Sequence, residues 1–146
     1  MSLSSLFPRI DRDYTGPRSA FIFFVVISIV STIRSLVHML SADGGASSIA
    51  GISIDVAGGQ NIVAVFGQWG ASQLILALMY WLVIIRYRFL VPAMLGLAFV
   101  EQLLRLGVGQ IKPIVEVIRA PPGAIGSLIL LPLTAIALWI SLQNAE

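Results

Sequence analysis

Four long apolar runs decide the solvent in which this chain folds. A helix needs about 20 predominantly apolar residues to cross roughly 30 Å of hydrocarbon. Ser19–Leu40, Ile62–Ile85, Phe89–Val108 and Ala124–Leu142 each meet that requirement. The second and fourth hold no formal charge, and Pro132 lies inside the fourth. Little of the 146-residue chain remains for a soluble catalytic domain. Only 11% of the residues are charged, against about 25% in soluble domains. The sequence therefore predicts an all-α membrane protein, a four-transmembrane-helix bundle. Residues 19–146 form its single domain, behind an N-terminal segment at 1–18.

The first run resembles a secretory signal, because Arg9, Arg12 and Arg18 precede it. Its apolar run from Ala20 to Val30 continues beyond a typical signal-peptide core, however, and no clear small-x-small cleavage site follows, so it reads as an uncleaved anchor. Orientation follows from arginine and lysine in the short flanks. With four spans, both termini and the Arg86-Tyr87-Arg88 connection share one side, with Arg9, Arg12, Arg18, Arg86 and Arg88. The opposite side has Lys112 and Arg119 alone. This bias places both termini in the cytoplasm and the protein in the inner (cytoplasmic) membrane. Tyr80, Trp81, Tyr87 and Phe89 around the cytoplasmic hairpin agree with that placement, whereas Trp69 falls a few residues inside the outer boundary.

The short connection predicts that spans two and three are antiparallel neighbours. Ser41–Asn61 holds five glycines and no Lys or Arg. Its alternating Ile52-Ser53-Ile54-Asp55-Val56 predicts a short strand in an ordered cap. Pro113–Arg119 has room for two turns of interfacial helix before Pro121-Pro122.

The composition excludes several functions. Without cysteine there are no disulfides, thiolate metal sites or thiol nucleophiles. A single histidine, His38, excludes a multi-histidine metal site within one subunit. The net charge of +2 is a small surplus rather than a basic patch, which excludes nucleic acid. No motif names a cofactor.

Ionisable residues inside a span are functional candidates by default. Counting helical rise from the span ends puts Arg34, Gln68, Glu101 and Arg105 within about 10 Å of the outer boundary. The four are expected to meet inside the bundle. Glu101 and Arg105 are i and i+4 with the acid first, the favourable order for a pair on one helix face. Ser28, Ser31, Thr32 and Ser35 form a polar stripe expected to face other helices. Gly67, Gly70 and Ala71 form a small-residue face on which a neighbouring backbone can pack closely.

Each feature has a structural and a functional reading. The Glu101–Arg105 pair is a register-fixing ion pair, a pocket for an anionic or polar headgroup, or part of a proton path. The serine stripe is helix–helix adhesion or a substrate track. His38 is a hydrogen-bonded structural residue or a pigment ligand.

Phe66-Gly67-Gln68-Trp69-Gly70, a long apolar span, a short basic hairpin and Glu101-Gln-Leu-Leu-Arg105-Leu-Gly107 together resemble the DoxX-like small four-helix membrane proteins. The resemblance covers about residues 62–120. It implies a glycine-rich start to the second helix, matched by Gly67 and Gly70, and an arginine near the outer end of the third, matched by Arg105. It further implies a loose association with quinone-linked redox systems. The long glycine-rich first loop and the Pro121-Pro122 break depart from that pattern.

Three functions compete. The first is a non-catalytic binding or accessory protein, a subunit assembled with other membrane proteins or with itself. The second is a small enzyme or carrier acting on a lipid or quinone, with Arg34 and Arg105 gripping the headgroup and Glu101 handling a proton. The third is an oligomeric channel or transporter. No catalytic constellation is visible in the sequence, which favours the first.

Overall fold

The structure, a computed structural model, describes residues 8, 10, 12–114 and 122–143. Most of the N-terminal segment before residue 12, and the expected interfacial turns from residue 115 onward, lie outside the described residues. The described chain is helical: α1 (Arg18–Leu40), α2 (Gly59–Arg86), α3 (Val91–Ile111) and α4 (Pro122–Ser141). Each is long and apolar enough to cross a membrane.

The helix ends follow from local chemistry. Pro17, in an extended conformation, leads into α1, where its fixed φ costs nothing. Gly58 adopts a left-handed conformation (φ 84°) ahead of α2, which only glycine reaches without strain. The helix thus begins at Gly59, one turn before the apolar run. A 3-10 turn at Arg88–Leu90 leads into α3, where Pro92 occupies the first turn and its missing N–H is harmless.

Polarity is inverted relative to a soluble protein. Ser28 and Ser35 are fully buried, while Ile33, Ile75 and Ile85 are 58–75% exposed. The buried hydroxyls satisfy themselves within their own helices. Ser28 Oγ donates to the Phe24 carbonyl at 2.7 Å and Ser35 Oγ to the Ser31 carbonyl at 2.6 Å. On α4, Thr134 Oγ1 donates to the Leu130 carbonyl at 2.7 Å. Such back-bonding lets a polar stripe sit at a helix interface without an orphaned donor.

The helices pack as two hairpins, α1 with α2 and α3 with α4, joined mainly where α1 meets α4. Trp81 Nε1 adds an α1–α2 hydrogen bond to Thr32 Oγ1 at 2.9 Å. The expected α2–α3 neighbourhood is corrected here. These helices touch little beyond their connection, because a short link fixes only where two helices start, not their angle.

At the end bearing both termini, the bundle closes around Phe24, Tyr80, Val83, Val91, Leu95 and Ala137. Phe24 and Tyr80 meet edge-on at 5.2 Å. Arg88 lies over the Phe21 ring at 5.2 Å, and the Tyr87 hydroxyl donates to the Pro8 carbonyl at 3.0 Å.

At the other end, residues 41–58 fold back as a series of turns, with Ala46 and Ala50 buried. Among the described residues the strand expected at Ile52–Val56 reduces to a single bridge residue, Ile52. The Ile54 carbonyl lies so close to Gly59 that no Cβ fits between them. Asp43 organises the loop by accepting N–H bonds from Gly45 (2.9 Å), Ser47 (3.1 Å) and Ser48 (2.6 Å). These backbone donors, Ser48 foremost, hold its carboxyl well below the usual carboxylate range.

Candidate functional site

α1 and α3 bring three charged residues to one place near the loop end. Arg34 Nη2 lies 3.7 Å from Glu101 Oε1, and Arg105 Nη1 lies 3.6 Å from the same oxygen. Both separations exceed the roughly 2.7–2.9 Å of a charge-assisted hydrogen bond. The charges therefore neutralise one another without saturating their donors and acceptors. Glu101 Oε1 and Arg105 Nη1 are buried and have no hydrogen-bond partner. Two cations face one anion, which leaves the cluster with an excess positive charge.

Each arginine has further anchors. Arg34 Nη2 donates to Gln73 Oε1 at 3.0 Å, and Arg105 Nε donates to Ser127 Oγ of α4 at 3.2 Å. Trp69 serves both: the Arg34 and Arg105 guanidinium carbons lie 5.3 and 5.1 Å from its ring centroid. A cation over an indole contributes about 0.5–1 kcal/mol when exposed and 2 or more when desolvated. His38 lies at 4.9 Å from Trp69 on its other contact. Its Nδ1 is 2.8 Å from the Gly44 carbonyl, so that nitrogen carries the proton. This is the hydrogen-bonded structural role, and it ties the loop to the site.

Gln68 stands apart from the cluster. It is exposed, and its backbone carbonyl accepts the Ser72 hydroxyl at 3.1 Å. Gln73 takes the position expected for it. The reason is angular, since five residues turn an α-helix by about 140° beyond a full revolution. Gln68 and Gln73 therefore flank α2 on opposite sides, and the side of Trp69 faces Arg34.

The small-residue face packs on α1, unequally. Gly70 is buried, and a Cβ there would lie 2.8 Å from His38 Cβ, 2.8 Å from Met39 N and 2.9 Å from the Ser35 carbonyl. Gly67 has an ordinary 3.8 Å approach to the His38 carbonyl, and Ala71 is half-buried.

The charged cluster lies in the wall of a cavity of about 990 Å³ bounded by all four helices. Its lining is mostly apolar, with two buried polar members: Gln102, which the sequence reading passed over, and Tyr80, which it placed among the interfacial aromatics. Toward the exterior it runs past Val26, Val30 and Ile33 of α1 and Leu128 and Leu133 of α4. These five side chains are 42–63% exposed, so the cavity opens sideways between helices. An apolar side opening that ends at a cationic group matches an amphiphile whose tail lies in the membrane. Among the described residues no group of His, Asp and Glu is placed to hold a metal ion.

Neither a protein-family profile nor a curated protein nor a solved structure matches this chain.

Proposed function

We propose that this is a non-catalytic binding protein of the cytoplasmic membrane that holds an amphiphile by its polar head. The observation that carries this is the laterally open apolar cavity ending at Arg34, Glu101 and Arg105. The surplus cation, and Arg105 Nη1 with an ion pair but no hydrogen bond, favour an anionic head, with the tail along Val26, Val30 and Leu133. A role as accessory subunit fits this reading, with the amphiphile held between the chain and a partner. The resemblance to DoxX-like proteins belongs to the same proposal and rests on Gly67, Gly70 and Arg105.

Native mass spectrometry of the protein titrated with dioleoylphosphatidylglycerol tests the binding. Arg105→Gln keeps the Arg34–Glu101 pair and is expected to weaken binding about tenfold or more, as for loss of a charged hydrogen bond. Arg105→Lys should lose less. Unchanged binding in Arg105→Gln overturns the proposal.

The proposed orientation puts both termini in the cytoplasm and Ser41–Asn61 outside. A cysteine placed at Ser47 should react with an impermeant thiol reagent in intact cells, and one at Ser4 should not. The reverse pattern would invert the topology.

One observation favours a second reading, an enzyme or carrier. Glu101 Oε1 is buried, lines the cavity and lacks a hydrogen-bond partner, as a carboxylate that exchanges a proton with a bound quinone would. Turnover of a short-chain quinol that is lost in Glu101→Gln would support it over simple binding.

A further inference from the structure

Among the described residues, Tyr80 is a further polar group of the cavity without a hydrogen-bond partner. It is only 1% exposed, it lines the cavity, and its hydroxyl has no hydrogen-bond partner. Edge-on packing against Phe24 at 5.2 Å fixes the ring, so the hydroxyl cannot swing out to water. Phenylalanine would fill the same space without the cost of a buried, unbonded O–H. The packing therefore does not account for the hydroxyl.

Its position relative to the charged cluster is set by the helix. Trp69, Gln73, Ala77 and Tyr80 stand at i, i+4, i+8 and i+11, along one face of α2. Tyr80 lies about three turns farther than Trp69 toward the terminal end. Helical side chains lean toward the N-terminus of their helix, so the Tyr80 ring leans back toward the cluster. The cavity thus offers a cationic contact near its loop end and a neutral donor deeper within it.

Resting on the headgroup reading above, we infer that Tyr80 is a specificity-determining residue that donates to a second acceptor on the ligand, below its anionic head. A glycerophospholipid has that chemistry: a phosphodiester for Arg105 and, on the tail side, ester carbonyls for the Tyr80 hydroxyl. A fatty acid has a single polar end and leaves the hydroxyl unbonded. A free phosphate reaches neither Tyr80 nor the apolar lining.

The test uses the full-length protein in detergent, with native mass spectrometry as the readout. The probes are dioleoylphosphatidylglycerol, its dialkyl-ether analogue without carbonyls, oleate and inorganic phosphate. Wild type should bind the diester about fivefold more tightly than the ether, the value of one neutral hydrogen bond. It should bind oleate and phosphate more weakly than either. Tyr80→Phe should lose the ester-over-ether preference while binding the ether lipid as wild type does. Loss of ether binding as well would mark a merely structural role and overturn the inference, as would a retained ester preference. Equal binding of oleate and diester, or of phosphate and diester, would also overturn it. Arg105→Gln separates the two claims: weaker binding of both lipids with the ester preference intact upholds the headgroup reading. If Arg105→Gln binds like wild type while Tyr80→Phe loses the preference, the headgroup reading fails and the Tyr80 contact stands.

Discussion

Gly70→Leu is expected to lower the melting temperature in detergent by roughly 10 °C, while Gly67→Ala leaves it nearly unchanged. The two glycines share a helix face but not an environment. At Gly70 even a methyl group would sit 2.8–2.9 Å from atoms of Ser35, His38 and Met39. Two of the three contacts are α1 backbone atoms, which cannot rotate away as a side-chain tip does. A larger residue must push α1 and α2 apart. That loosens the tightest hairpin in the fold and strains the His38–Gly44 bond above it. Overpacking in a close-packed interior costs about 1–3 kcal/mol, and leucine, with three carbons beyond its Cβ, belongs at the upper end. For a chain of this size 3 kcal/mol corresponds to roughly 10 °C. At Gly67 the nearest atom is 3.8 Å away, ordinary van der Waals contact, and alanine is the better helix former. Thermal unfolding of both variants decides the matter. Equal melting for Gly70→Leu and wild type would mean that α1 and α2 do not approach so closely.

The four helices were legible in the sequence because a run of about 20 apolar residues, long enough to span a membrane, needs no tertiary information to be recognised. The ends were less so. Hydropathy stops at Ile62, but the left-handed Gly58 caps a helix that already runs through the polar Gly59-Gln60-Asn61. Helical rise placed Arg34, Glu101 and Arg105 at one depth, and they do meet. Depth, however, is one coordinate and azimuth another. Gln68 has the right depth and the wrong azimuth, and choosing Gln73 required knowing which side of α2 faces α1. A signal existed: Trp69 and Gln73 are i and i+4, and Tyr80 continues their face. Trp69 was read only as lying a few residues inside the outer boundary, since an indole beside two arginines from other helices is a tertiary fact. The splay of α2 from α3 was invisible for the same reason, and with it the cavity. The segment 52–56 misled because its alternation does not mark an inward face: Ile52, Ser53 and Ile54 are all half-buried, and Asp55 and Val56 are both exposed.

Replacing both arginines of the cluster is expected to destabilise the protein more than replacing the glutamate between them. Arg34 keeps Gln73 and the Trp69 ring when Glu101 is lost, and Arg105 keeps Ser127 and the same ring. Glu101 has no comparable reserve, because its ion-pair partners are Arg34 and Arg105 and its Oε1 accepts no hydrogen bond. In Arg34→Gln/Arg105→Gln the carboxylate, 19% exposed, is left without a countercharge. Stranding a buried charge in this way costs about 3–5 kcal/mol. In Glu101→Gln the arginines repel, but each remains bonded and the new amide can accept from Arg105, so the loss should be about 1–2 kcal/mol. The decisive comparison is the triple variant with Gln at 34, 101 and 105. Exchanging a whole buried ion cluster for neutral groups is often close to neutral, so this variant should melt above the double arginine variant despite carrying one more substitution. That recovery would identify the stranded carboxylate, rather than lost arginine packing, as the source of the damage. A triple variant no more stable than the double would place the energy in the contacts of the arginine stems and of Trp69. The charge of Glu101 would then matter little to the fold.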